Sequence, residues 1–293
     1  MIAVFRKELT DHLVSLRFLI LFALVLAAAI AATYIATQNI RGAVTEDTEF
    51  IFLTIFTTRG TELLTFLFFL SLFIPVISIA LGFDAINSER NSGNLSRLLS
   101  QPIFRDAVIN GKFLAGLAVL AIIIVSVIAI VAGLGLRIVG VPPGSEEVLR
   151  LIVFALISII YGAFWMALAI LFSILFKSAT TSMLASIGLW IFLFFFMPVI
   201  ANAITGNATV QMMVARVSPC TLYGGATSVL LVPELDEYTA SILYQFVGRL
   251  PTPLPFNQSL LLVWPQVVGI IALAAICFAV SYVRFMREEI RAI

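Results

Sequence analysis

Charged residues are scarce in this chain of 293 amino acids. Only 11% of them are Asp, Glu, Lys or Arg, while 61% are hydrophobic. A soluble globular domain has about 25% charged residues, so this composition excludes an ordinary soluble protein and predicts one that crosses the membrane several times. The net charge of +1 gives no reason to expect a nucleic-acid partner, and we predict none.

Histidine and cysteine are scarcer still. The chain has one histidine, His12, and two cysteines, Cys220 and Cys277. These are too few soft ligands for a haem chain or an iron–sulfur cluster, and we predict no metal site. Cys277 falls inside a long apolar stretch and Cys220 does not, so we expect two free thiols rather than a disulfide.

Motifs that bind nucleotides or hydrolyse peptides and esters are missing. The chain contains no G-x-x-x-x-G-K-[ST], the loop that holds nucleotide phosphates, and neither H-E-x-x-H nor G-x-S-x-G. We therefore predict no cofactor, no catalytic residue and no enzyme activity in this chain. Charged residues are also missing from every long apolar stretch. This argues against a transporter coupled to protons or ions, since those keep an acid or base inside the membrane.

Six apolar stretches are long enough to cross a bilayer, which takes about 20 helical residues. They are 18–36, 63–83, 113–136, 151–176, 182–204 and 260–282. The first contains small residues like those of a signal-peptide cleavage site. Its 19 residues exceed the ~7–15 of a signal core, so we interpret it as a retained helix. The predicted fold is an all-α membrane protein with six transmembrane helices.

Lysine and arginine are unevenly distributed between the two sides of these spans. With the N-terminus in the cytoplasm, eleven of them lie inside and six outside, whereas seven acidic residues lie inside and nine outside. Basic residues favour the cytoplasmic side, so both termini are predicted to be cytoplasmic. The outer basic residues are Arg41, Arg59, Arg137, Arg150, Arg216 and Arg249.

Residues 1–17 form a candidate amphipathic helix at the membrane interface. Phe5, Leu9 and Leu13 follow helical spacing, and the pattern places the charged residues, Glu8 among them, on the other side. Such a helix would lie in the interface with its basic residues near the lipid headgroups.

The outer segments are less regular. Residues 37–62 mix acids with an apolar run at 50–56, which predicts a short helix resting on the membrane. The last outer segment, 205–259, is too long to be structureless, and we predict interfacial or re-entrant helices between residues 210 and 232. No internal repeat divides the chain, so 1–293 is predicted to be a single membrane domain.

The cytoplasmic segment 84–112 lies between the second and third spans. We expect the second span to continue as a helix through Glu89, to turn at Gly93, and to be followed by a short helix capped by Asn94. The apolar face of that helix comes from Leu95, Leu98 and Leu99 at i, i+3 and i+4, and Pro102 ends it. A solvated loop whose leucines touch the interface is equally compatible with the pattern.

The end of this segment leads back into the membrane. Asp106 is well placed for the positive end of the third span. Gly111 is expected to allow close packing between helices. Lys112 is expected to extend to the lipid headgroups.

The same segment resembles the motif of ABC-2 type ABC transporter permeases. The matching residues are Glu89-x-x-x-Gly93-x-Leu95-x-x-Leu98-Leu99-Ser-x-Pro102-Ile-x-Arg105, then Gly111-Lys112. Arg6-Lys7-Glu8, Arg17-Phe18 and Val217-Ser218-Pro219 before Tyr223 resemble other parts of that family. Within that family, the chain is similar to the branch that contains the permease of the nitrous oxide reductase maturation transporter and the sodium-export permeases. Asn94 departs from the family, which commonly has Thr there.

The resemblance implies an ABC-2, type V exporter-like architecture in a prokaryotic plasma membrane. Two permease chains, identical or related, would form the pathway, and two separately encoded ATPase subunits would bind ATP and Mg²⁺ on the cytoplasmic side. A coupling helix around residues 94–99 would dock in each ATPase beside the N-terminal helix. The implied docking residues are Glu89, Gly93, Asn94, Leu95, Arg97, Leu98, Leu99, Pro102 and Arg105. The family also leaves room for an extracytoplasmic accessory protein.

Two prolines lie inside predicted spans. Pro75 is in the second and Pro265 in the sixth. Proline removes a helical hydrogen bond and is a common cause of kinks, so both positions are predicted helix bends.

A different class of function is also compatible with the residues. The chain could be a membrane scaffold or anchor that recruits a soluble protein through residues 84–112 without transport. The distinguishing observation is whether that soluble protein hydrolyses ATP. A membrane enzyme is a third reading, and the lack of polar residues in the spans argues against it.

Overall fold

The structure is a computed structural model that describes residues 1–43, 50–57, 66–91, 104–140, 142–204, 208–232 and 254–287. All regular structure in these ranges is helical. The first half contains α1 (Ile2–Val14), α2 (Leu16–Ala43), α3 (Ile51–Thr57), α4 (Phe66–Gly82), α5 (Asn87–Asn91) and α6 (Arg105–Val139). The second half contains α7 (Ser145–Leu175), α8 (Ala179–Ile191), a π-helix (Phe192–Phe196), α9 (Met197–Ile204), α10 (Ala208–Ala215), α11 (Pro219–Leu231) and α12 (Phe256–Arg287).

Six helical stretches of the described chain are long and apolar enough to cross a membrane, which confirms the predicted number. They are Leu16–Ala36, Phe66–Asn91, Arg105–Ile138, Ser145–Leu175, Ala179–Ile204 and Phe256–Arg287. Each predicted span overlaps one of them. With 35 residues, α6 is about 52 Å long and exceeds the ~30 Å hydrocarbon layer. Its ends therefore extend into the interfacial layers, where charged side chains are tolerated.

The core is built around α7, which is apolar on most sides and contacts α4, α6, α11 and α12. Phe154, Tyr161 and Trp165 on this helix are fully buried. A helix that is hydrophobic all round belongs in the interior. By contrast, few residues of α2, α12 and the α8–α9 stretch are fully buried, as expected of helices that face lipid or another protein.

Side-chain hydroxyl groups donate hydrogen bonds to backbone carbonyl groups that have no donor within their own helix. Pro75 lies inside α4 and cannot donate to the Ser71 carbonyl. The Tyr161 hydroxyl of α7 donates to that carbonyl across 3.4 Å. Pro265 lies inside α12. Bends at the two prolines stay predictions.

A hydrogen bond from a side-chain hydroxyl to a backbone carbonyl also connects α11 to the π-helix in the fifth span. The Ser218 hydroxyl caps α11 by accepting from the Cys220 N–H at 3.2 Å, and it donates to the Leu193 carbonyl of the π-helix at 2.9 Å. The residues between 210 and 232 are helical, as predicted, in α10 and α11, and the interfacial or re-entrant placement of these helices stays a prediction. Tyr223 of α11 is fully buried and stacks on Tyr161, with ring centroids 4.3 Å apart, so α11 is part of the bundle core.

The prediction that residues 50–56 rest on the membrane surface is wrong. The helix they predicted exists as α3, but Phe52, Leu53, Ile55 and Phe56 are at most 1% exposed. The N–H groups of Phe52 and Leu53 donate to the Glu147 carboxylate at 3.0 and 3.3 Å. This carboxylate caps the start of α3, so the backbone polar groups are satisfied while the apolar side chains enter the core.

Arg150 connects the end of α11 with the start of α12, on the side of the bundle where α3 lies. Its guanidinium is fully buried and donates to the Leu230 carbonyl at 2.7 Å, to the Leu254 carbonyl at 2.5 Å and to the Ser259 hydroxyl at 3.2 Å. It also pairs with Glu146 at 2.8 Å. One side chain of α7 thus links the end of α11 to the start of α12.

Close helix packing near the end of α4 depends on Gly82. A Cβ at this position would lie 2.9 Å from the Ala169 Cβ and 3.0 Å from the Met166 carbonyl oxygen, both on α7. Neither atom can rotate away. We expect Gly82→Ala to destabilise the protein by about 1–3 kcal/mol, the range of core overpacking, despite alanine's better helix propensity.

Thermal unfolding in detergent measures this prediction, and Gly188→Ala provides the matched control. Gly188 is also helical, and a Cβ there would meet no atom within 4 Å. Its replacement should be neutral or stabilising by up to about 1 kcal/mol. Equal midpoints for the two variants would contradict the packing argument.

Candidate functional site

A cluster of buried charge lies where α1, α5 and α6 meet. Lys112 of α6 is only 7% exposed, and its ammonium group lies 2.9 Å from the Glu8 carboxylate of α1 and 2.9 Å from the Glu89 carboxylate of α5. We call Glu8, Glu89 and Lys112 the charged junction. A buried ammonium paired with two carboxylates makes strong charge-assisted hydrogen bonds.

A glycine brings α1 close enough to α6 for this pairing. A Cβ at Gly111 would lie 2.9 Å from the Val4 Cγ1, so Gly111 allows the close packing that was predicted for it. Val4 and Glu8 are the buried residues of α1 and, being four positions apart, share one side of the helix. The contact at Val4 therefore directs the Glu8 carboxylate toward Lys112.

A break in the second span positions α5. Residues 83–86 form a turn between α4 and α5, so the helix predicted to continue through Glu89 is interrupted at this turn and resumes as α5. The turn is stable because the Ser173 hydroxyl of α7 accepts from the N–H groups of Ile86 and Asn87 at 3.0 and 3.2 Å. At the other end of α5, the Asn91 amide donates to the Lys177 carbonyl at 3.1 Å. These contacts fasten α5 to α7 and to the residues that follow it.

The turn also contacts the start of α2. The Arg17 guanidinium forms an ion pair with Asp84 and lies 5.5 Å from the centre of the Phe83 ring. Arg17 is largely exposed, so this pair adds little free energy. It does link the beginning of segment 84–112 to the first span.

Two ionisable groups of α1 have shifted pKa values. Burial by itself would raise the pKa of the Glu8 carboxyl, but the attraction and hydrogen bond of Lys112 outweigh burial and hold this pKa below its usual value. Burial lowers the pKa of His12, against the opposing attraction of Glu8. At neutral pH the Glu8 side chain is therefore a carboxylate and the imidazole is uncharged. A cavity of about 170 Å³ lies beside these groups, lined by α1, α5, α6 and the turn.

Two sequence interpretations are corrected here. Glu8 was assigned to the polar side of an amphipathic helix, but it lies on the buried side of α1. Lys112 was expected to extend to the headgroups, but it turns inward. In both cases the reason is the same: two carboxylates within hydrogen-bonding distance compensate the ammonium for its lost hydration. The position of α1 relative to a membrane surface stays a prediction.

Of the predicted docking residues, the structure describes Glu89 and Arg105. Glu89 belongs to the charged junction, and Arg105 is the first residue of α6. The others, namely Gly93, Asn94, Leu95, Arg97, Leu98, Leu99 and Pro102, lie outside the described residues. Sequence reasoning missed Ser173 and the pairing of Glu8 with Lys112. The available signals were a serine near the end of a span and an acid four positions after Val4.

The site has hydrogen-bonding and electrostatic chemistry but no metal-binding geometry. Within the described ranges, no group of three or more His, Cys, Asp or Glu side chains is placed to hold a metal ion. What the arrangement does is fix the segment that begins at the 83–86 turn to α1, α2, α6 and α7 at once.

Comparison with known proteins agrees with this architecture. Residues 2–290 match the family described as ABC-2 family transporter protein. A search of curated proteins finds no match to the chain. With a family match over nearly its whole length and six helices able to cross a membrane, this multi-pass membrane protein belongs to the ABC-2 family of transporter proteins.

Proposed function

We propose that this chain is the permease subunit of an ATP-binding cassette exporter. Two copies, or this chain and a related permease, form the pathway, and two separately encoded ATPase subunits dock on residues 84–112 from the cytoplasm. The observation that carries the proposal is the family match over residues 2–290, and the charged junction supplies a route by which docking is transmitted. It connects the predicted docking segment to the N-terminal helix and the third span through a single buried lysine.

The energy for transport enters through the partner. This chain has no loop for nucleotide phosphates, so ATP and Mg²⁺ bind to the ATPase subunits. When these close on ATP, they displace the coupling helix around residues 94–99. Allosteric coupling requires a physical element whose arrangement both sites bias, and the helices held together at the charged junction supply that element.

The displacement has two routes into the bundle. One passes from Glu89 through Lys112 to Glu8, and it moves α1 together with α6. The other passes from the 83–86 turn to Ser173 and so to α7, the central helix. Paired charges and hydrogen bonds of this kind have defined geometry, so they transmit a shift of α5 better than apolar contacts alone.

A pull-down from native membranes in mild detergent, followed by mass spectrometry, tests the proposal. We expect a soluble protein with a Walker A loop to co-purify. If the soluble partner found after crosslinking has no such loop, the chain is a scaffold or anchor and the proposal fails.

A substitution in the docking segment tests where the ATPase binds. We expect Leu98→Asp to reduce the amount of co-purified ATPase at least tenfold, because a carboxylate placed in an apolar interface loses several kcal/mol on desolvation. The folded membrane domain should be unaffected. Quantitative mass spectrometry of the pull-down measures the ratio of the two subunits.

Ser100→Asp is the matched control. It adds the same charge to the same segment, but helical spacing places it opposite the side formed by Leu95, Leu98 and Leu99. Its ATPase should remain bound. Equal retention by the two variants would locate the docking surface elsewhere.

A further inference from the structure

The last two turns of α12 present a surface that the proposed function does not use. Ser281 and Phe285 are fully buried and define the side of α12 that faces the bundle. Val280, Val283 and Arg287 lie on the opposite side by helical spacing, and Arg284 lies beside them. Val280 and Val283 are 48% and 47% exposed. A cleft of about 360 Å³ runs along this surface, lined by Ala279, Val280, Val283, Arg284 and Arg287.

The cleft changes from apolar to basic along the helix axis. Ala279, Val280 and Val283 form its membrane-side wall, and two guanidinium groups form its outer end. Val280 and Arg287 are separated by about 10 Å along the axis. The interfacial layer on each side of a bilayer is about 5–8 Å thick. A surface of this length is enough to reach from the headgroup layer to the first part of the acyl chains.

The positive charges of Arg284 and Arg287 are available to bind an anionic ligand. No ion pair joins Arg284 or Arg287 to another residue within the described parts of the chain. At i and i+3 they are neighbours on the helix surface. Guanidinium groups bind phosphate oxygens in a bidentate fork and are more weakly hydrated than ammonium groups, so this pair favours a phosphate diester with a net negative charge over a zwitterionic one.

We propose that this cleft is a binding site for one anionic phospholipid of the leaflet in which α12 ends. The phosphate lies between Arg284 and Arg287, and the upper part of an acyl chain packs on Val280 and Val283. The apolar wall is needed because it distinguishes a lipid from a free phosphate. The cleft is open, since the described residues that line it all belong to α12, and this leaves the rest of the lipid in the bilayer.

Native mass spectrometry of the purified full-length chain tests the site. The protein in neutral detergent is mixed with equal amounts of phosphatidylglycerol and phosphatidylcholine that carry the same acyl chains. We expect wild type to retain phosphatidylglycerol preferentially, and the double variant R284Q/R287Q to lose that preference by about 30-fold. Each basic residue near a membrane surface contributes a factor of roughly five.

Two further variants make the result specific. R137Q/R216Q removes two positive charges from exposed positions on the predicted outer side, opposite the end of α12, and it should keep the wild-type preference. R284K/R287K keeps the charge but loses the fork, and it should keep part of the preference. If the glutamine double variant does not purify as a folded protein, the single variants R284Q and R287Q are measured, each with an expected loss of about fivefold.

Three outcomes would overturn the proposal. Equal lipid preference in wild type and R284Q/R287Q would show that anionic lipids bind elsewhere. Full displacement of phosphatidylglycerol by inorganic phosphate would show that the apolar wall contributes nothing. Loss of a second copy of the chain, rather than of lipid, in the double variant would make this surface a contact between subunits. None of these measurements depends on an ATPase, so the result is independent of the proposed transport function.

Discussion

Replacing Lys112 with methionine is expected to destabilise the protein by about 3–5 kcal/mol at neutral pH. The substitution keeps most of the apolar stem but removes the charge that lies 2.9 Å from both Glu8 and Glu89. Two carboxylates then face each other in a site where the lysine was only 7% exposed. Removing one partner from a buried ion pair typically costs this much, since the remaining charge is left uncompensated. Thermal or denaturant unfolding in detergent measures the loss.

The pH dependence of stability separates this explanation from simple loss of packing. In wild type the pKa of Glu8 is held below its usual value, chiefly because Lys112 outweighs burial. Its contribution is therefore present above the unfolded pKa of about 4.5 and is lost as the pH falls through the folded value. In Lys112→Met the strongest opposing attraction is gone, so burial and the nearby Glu89 carboxylate raise the pKa of Glu8 against the weaker attraction of Lys7 and His12. The variant should therefore become less destabilised, relative to wild type, as the pH is lowered from 7 toward 5.

Two control variants complete the experiment. Lys7→Met removes a lysine that is 57% exposed and lies 3.5 Å from the same Glu8 carboxylate. A surface pair of this kind contributes about 0–1 kcal/mol. The triple variant E8Q/E89Q/K112M removes all three charges and should recover most of the stability, because apolar or neutral replacement of a whole buried network is often tolerated. A triple variant as unstable as Lys112→Met would contradict the electrostatic account.

The outline of this fold could be predicted because its main signal is local. A helix that crosses a bilayer needs about 20 consecutive apolar residues, and such stretches are visible without knowing what they contact. The same holds for Asp106, whose expected place in the first turn of α6 depends only on its own helix. Segment 92–103 lies outside the described residues, so the coupling helix predicted there stays a prediction.

The charged junction could not be predicted because its partners are far apart in the sequence. Glu8 and Lys112 are separated by 104 positions, and the Ser173 hydroxyl that stabilises the 83–86 turn is 87 positions from Ile86. An amphipathic pattern separates apolar from polar residues, but it does not tell a solvated carboxylate from one that is buried with a lysine. Glu8 was placed on the wrong side of α1 for that reason.

Arg150 illustrates the same limit at the other end of the bundle. In the sequence it was one of six basic residues on the outer side, and nothing local distinguishes it from Arg137. In the structure Arg137 is exposed, while Arg150 is fully buried and lies 5.4 Å from the centre of the Phe50 ring. The difference arises because the end of α11 and a residue just before α12 place two carbonyl groups around one guanidinium.

Arg150→Leu should therefore be among the most destabilising single substitutions in the described part of the chain, with a cost of about 3–5 kcal/mol. Leucine fills part of the volume but donates no hydrogen bond. The Leu230 and Leu254 carbonyls and the Ser259 hydroxyl would lose the donor on which they converge. A buried polar group without a partner costs about 1–3 kcal/mol. The unfolding midpoint in detergent measures the effect, and Arg137→Leu should leave it unchanged.

The variant Arg150→Lys decides between charge and geometry as the stabilising factor. A lysine keeps the positive charge next to Glu146, but its single ammonium cannot reproduce the planar fork that reaches both helix ends. If the hydrogen bonds of the planar guanidinium stabilise the protein, lysine should recover less than half of the stability lost in the leucine variant. Full recovery by lysine would mean that charge alone is sufficient, and that the hydrogen bonds to α11 and the start of α12 contribute little.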